Sequence, residues 1–130
     1  MNQRPTSPHL QVYRLPLTAI LSISHRITGV VLTLGLLAIA GIFIAAVAGS
    51  GAFSILIGGL ASLPGQVALW LWLFSLFFHT CHGIRHLLWD AGLGLDRDVV
   101  ARHNLIEIVL AVLCTIGAFA ISHTSRSGVG

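Results

Sequence analysis

Between Arg26 and Arg85 the chain runs for 58 residues without one Asp, Glu, Lys or Arg. A second charge-free stretch, of 18 residues, separates Glu107 from Arg126. A soluble domain cannot clothe its surface across such gaps, because every element that faces water needs a polar side. Only 8% of the 130 residues are charged, against roughly 25% in an ordinary soluble domain. A disordered chain, a soluble monomer and a nucleic-acid-binding domain are therefore excluded. All seven basic residues are arginines, scattered rather than gathered into a patch. Cys81 and Cys114 lie in apolar sequence and read as small buried hydrophobes, not as a disulfide.

A membrane-crossing helix needs about 20 mostly apolar residues. Three segments meet that length: residues 20–47, 66–89 and 104–122. Residues 49–65 are rich in Gly, Ser and Ala and contain Pro64, which predicts a loop, with Phe53 to Leu60 lying in the membrane interface. Residues 91–103 carry Asp96, Arg97, Asp98 and Arg102, which predicts an aqueous loop. The expected fold is an all-α membrane protein. Three transmembrane helices run up, down and up over residues 20–130, preceded by an N-terminal surface arm at residues 1–19. In that arm Pro5, Pro8 and Pro16 interrupt any long helix. It is expected on the membrane surface, against a soluble partner or as an unstructured tail.

The arginines orient the spans. Arg4, Arg14 and Arg26 precede or open the first span, and Arg85, Arg97 and Arg102 close or follow the second. Two crossings return the chain to its starting side, so these six share one side and only Arg126 faces the other. The positive-inside rule places the N-terminus in the cytoplasm or mitochondrial matrix, and the C-terminus opposite.

Histidine is the informative polar residue. His79, His82 and His86 fall in His-Thr-Cys-His-Gly-Ile-Arg-His, residues 79–86. At 100° per residue they lie within about 60° of one another on a helix, with Ser75 and Asp90 on the same stripe. A polar stripe inside a membrane faces the bundle interior or a cofactor. If Arg85 marks the interface, His79 lies about 9 Å deeper, His82 about 4.5 Å deeper and His86 level with it. His79 then has two readings: a helix–helix hydrogen bond, or an axial ligand to a haem held between helices. Structural or propionate-contacting roles suit His82 and His86.

The first span opens with Ser-Ile-Ser-His-Arg-Ile-Thr-Gly, residues 22–29. Ser22, His25, Arg26 and Gly29 share one helical face. Gly29 lets a helix or a ring approach closely. Arg26 and His25 suit an anionic group or a polarised carbonyl, and Ser22 suits a hydrogen bond to a quinone carbonyl. The alternative is Arg26 snorkelling to lipid phosphate.

Three segments, taken in order, resemble the cytochrome b556 subunits of succinate dehydrogenase, the large membrane anchors of respiratory complex II. They are Arg-Pro-Thr-Ser-Pro-His at residues 4–9 with Tyr13, then residues 22–29, then His-Thr-Cys-His-Gly-Ile-Arg-His-Leu-Leu-Trp-Asp-Ala-Gly at residues 79–92. The resemblance implies that His79 is the axial ligand of a b-type haem. A histidine of a second, smaller anchor subunit would supply the other ligand. It implies that Ser22 and Arg26 belong to the ubiquinone site and that His25 and Arg26 lie near the haem propionates. An iron–sulfur subunit and a flavoprotein subunit would complete the assembly, in a bacterial inner membrane or a mitochondrial inner membrane. Succinate would be oxidised on the flavoprotein, so this chain alone would hold no complete active site. His82 stands where family members often carry another residue, frequently Asn, and offers a second candidate ligand one turn from His79. The motif counts to His79.

Two other functions fit parts of the pattern. A purely structural anchor would bind neither haem nor quinone, but would not need two polar faces on neighbouring spans. A metal transporter could use His79, His82 and His86 as ligands. Residues 49–65, however, offer neither carboxylate nor histidine for a path on the far side.

Overall fold

The computed structural model describes residues 14–127. Four helices follow in order: α1 (Leu17–Ala48), α2 (Ser50–Ala61), α3 (Leu63–Asp90) and α4 (Arg97–Ser127). Three of them, α1, α3 and α4, are long and apolar enough to cross a membrane. At 1.5 Å per residue they reach about 42–48 Å, beyond the roughly 30 Å of bilayer hydrocarbon, so their ends extend into the headgroup region or past it. The first 13 residues of the expected N-terminal arm lie outside the described residues, and α1 takes over at Leu17.

The chain is apolar outside and polar inside. Among the described residues the buried apolar side chains are Leu21, Phe78 and Ala111, whereas Thr28, Ser75, His82, Arg85, Asn104 and Glu107 are all buried. Leucine, isoleucine, valine and phenylalanine side chains cover the exterior of all three long helices. In water this distribution would be unstable; in lipid it costs nothing to expose leucine, and polar groups must find one another inside. Helix α3 is the centre of the bundle and packs against both α1 and α4. Its buried residues Ser75, Phe78, His82 and Arg85 repeat at three and four positions, which is one face of a helix.

Two loops expected from the sequence are partly helical. Residues 50–61 form α2, which packs against α1 and α3. Gly49, at φ +121°, breaks α1 from α2 in a conformation that a side chain would strain. The Ser62 hydroxyl then accepts from the Gly65 amide at 3.3 Å and starts α3, with Pro64 in its first turn. A proline there starts a helix rather than ending one, because the first-turn amides lack partners in any case. Similarly, α4 begins at Arg97, not near Asn104, and Asp98 lies in its first turn, where a carboxylate meets the positive end of the helix dipole. Both cysteines are free; Cys81 is half-buried, but Cys114 is exposed on the apolar outer surface, which corrects its expected burial.

Candidate functional site

The polar faces of α1 and α3 meet in one seam. His25 of α1 stacks on His79 of α3, with ring centroids 3.9 Å apart and planes 15° apart. It also stacks on His82 at 4.7 Å and lies 5.6 Å from His86. The four histidines singled out in the two motifs are therefore one cluster, although 53 residues separate the first from the second.

Within it, His79 has the most defined seat. Its Nδ1 lies 3.1 Å from the His25 carbonyl oxygen and 3.1 Å from the Thr28 hydroxyl. The Thr28 hydroxyl itself donates to the same carbonyl, at 2.9 Å. Both neighbours of Nδ1 then present lone pairs, which assigns the proton to Nδ1. Nε2 carries the other lone pair and has no partner among the described residues. Gly29 makes room for the ring: a Cβ there would meet His79 Cε1 at 3.2 Å. An imidazole tied to a backbone carbonyl through one nitrogen, with the other open, is the form that ligates a metal.

His82 is in a different state. It is fully buried, and its Nδ1 lies 3.1 Å from Glu107 Oε1 of α4. Nη2 of Arg85 lies 3.2 Å from Nδ1 and 3.4 Å from Nε2. A carboxylate accepts only, so Nδ1 donates to Glu107, while Arg85 Nη2, nearly equidistant from both ring nitrogens, lies against the ring and covers Nε2. Both ring nitrogens are thus engaged. His25, His82 and His86 could bring three ring nitrogens within 4.8 Å of one another. His79 is not in that trio. The Arg85 guanidinium against His82 makes the trio a poor cage for a bare cation and a better one for an anionic group. The buried Nε2 of His25 lacks a hydrogen-bond partner, a polar atom suited to a group from outside the chain.

Arg85, expected at the depth of the membrane interface, is folded into the bundle and only 3% exposed. Its Nη1 donates to Asn104 Oδ1 and lies 3.3 Å from Glu107 Oε1, and the guanidinium sits 4.7 Å over the Trp89 ring. Asn104 in turn donates to the Thr18 hydroxyl of α1 at 3.1 Å. One polar chain therefore crosses all three spanning helices. Asn104 and Glu107 were missed as site residues in the sequence. The available signal was Glu107 itself, a carboxylate within an apolar span.

Ser22 and Arg26 lie one turn apart on α1, Ser22 half-buried and Arg26 exposed. The expected shared face divides: His25 turns into the seam with α3, whereas Arg26 points outward.

The family model described as the succinate dehydrogenase/fumarate reductase transmembrane subunit matches residues 1–118. The chain is 44% identical over 120 residues to a succinate dehydrogenase cytochrome b556 subunit from Paracoccus denitrificans, covering 89% of this chain and 92% of that one. It is 38% identical over 115 residues to the namesake subunit from Rickettsia bellii, covering 88% and 90%. A mitochondrial succinate dehydrogenase cytochrome b560 subunit from Sus scrofa is 33% identical over 123 residues, covering 92% and 72%.

Proposed function

The chain belongs to the succinate dehydrogenase/fumarate reductase transmembrane-subunit family, and on that premise we propose that it is the large membrane anchor of a succinate:quinone oxidoreductase. In this reading it shares one b-type haem with a smaller anchor subunit and contributes to the site where ubiquinone is reduced. A flavoprotein subunit oxidises succinate, and an iron–sulfur subunit carries its two electrons to the quinone, which also takes up two protons. The chain lies in a bacterial or mitochondrial inner membrane with its arginine-rich side toward the cytoplasm or matrix, facing those soluble subunits.

The observation that carries the reading is the seat of His79. Its Nδ1 is fixed by the His25 carbonyl and Thr28, which leaves Nε2 as the ligand atom for haem iron. A haem held there would supply a one-electron store. His25 and His86, with Arg26, supply donors for its propionates; the unpartnered His25 Nε2 supports that role. His82, with both nitrogens engaged by Glu107 and Arg85, acts in support of the seat rather than as a ligand. Ser22 and Arg26 hold a quinone carbonyl, and the guanidinium stabilises negative charge as it develops on that oxygen.

Reduced-minus-oxidised absorption spectra of the assembled complex test this function. A low-spin b-type signal that rises in proportion to this chain is expected. A fully assembled complex without it would overturn the haem assignment and leave a purely structural anchor.

A further inference from the structure

Glu107 is 4% exposed, inside an apolar helix, about 15 Å along α4 from its first residue. A carboxylate there is costly unless its partners are well placed, and a buried ion pair is often no more stabilising than apolar side chains of the same volume. Stability alone is thus a weak reason for it. Its geometry suggests a second role. A single oxygen, Oε1, serves both His82 Nδ1 and Arg85 Nη1. His82 stacks on His25, and His25 stacks on His79 and offers its carbonyl to His79 Nδ1. Three contacts therefore link Glu107 on the third span to His79 on the second, by way of the first.

We infer that Glu107 is a positioning residue for the histidine stack: it fixes the orientation and tautomer of His82 and cancels the charge of Arg85 beside it, and so sets the electrostatic field at His79. The inference rests on the reading of His79 as a haem ligand. Its direction follows from charge. Ferric haem carries one more positive charge than ferrous haem. A guanidinium left uncompensated nearby disfavours the ferric state and raises the midpoint potential. With Glu107 in place, the pair is neutral and Arg85 acts only as a hydrogen-bond donor.

Potentiometric titration of the haem absorption band in the assembled complex is the test, and it does not depend on turnover. Glu107→Gln keeps the shape and removes the charge; its midpoint is expected to lie above wild type. Glu107→Asp keeps the charge and is expected to stay near wild type, which a merely space-filling role would not distinguish. Arg85→Gln removes the opposite charge and is expected to shift the midpoint downward. It also provides the reading should Glu107→Gln fail to assemble. An unmoved midpoint in Glu107→Gln, or a downward shift there, overturns the inference while the haem reading stands. An absent or upward shift in Arg85→Gln does the same. A wild-type complex with no haem signal overturns both.

Discussion

Arg26 and Arg85 bound the long charge-free stretch, yet the structure treats them in opposite ways. Arg85 is enclosed by Asn104, Glu107, His82 and Trp89. Arg26 is exposed on α1 and makes no ion pair among the described residues, so its guanidinium is available to a group from outside the chain. Replacing Arg26 by leucine is expected to lower quinone reduction by roughly a hundredfold, the typical cost of losing a donor to developing negative charge. Succinate oxidation measured with an artificial acceptor should be spared, since the proposed function places that chemistry on another subunit. Unchanged quinone kinetics would remove Arg26 from the site. At this scale the histidines were legible from their spacing on a charge-poor chain. The Glu107–His82 pair was not, because its partners lie 25 positions apart and only the packing of α3 on α4 brings them together.

At the scale of elements, α3 organises the molecule. Its buried face meets α4 at Ala111, which has no exposed surface and packs with Leu21 and Phe78. A larger side chain at that seam would force α3 and α4 apart. Ala111→Leu is expected to cost about 1–3 kcal/mol and to lower the thermal midpoint of the purified complex. Val109→Leu, at a position 45% exposed on the same helix, should not. Equal midpoints for the two variants would contradict the tight seam. The long apolar spans were legible because a bilayer demands a length that few other structures use. Helix α2 was not. Its glycines and serines look like loop composition, and Pro64 looks like a breaker until it is seen in the first turn of α3. The start of α4 was hidden for a related reason: Arg97 to His103 are charged enough for water, but a helix can leave the membrane without ending.

For the whole molecule, the inversion of polarity is the governing fact. Lipid removes any penalty for exposed leucine and raises the cost of an unpaired polar group. Among the described residues six buried polar side chains therefore line the interior beside the small apolar cluster, and they cross from α1 through α3 to α4. Sequence patterning could show that such a polar face existed on each of the first two spans. It could not show that one nitrogen of His79 is tied down and the other open, or that His82 has neither to spare. Two variants compared in the assembled complex separate the two histidines. His79→Leu should abolish the low-spin b-type signal in the reduced-minus-oxidised spectrum, while His82→Leu should retain it, with a shifted potential. Retention in His79→Leu and loss in His82→Leu would show that the iron is held by the other histidine.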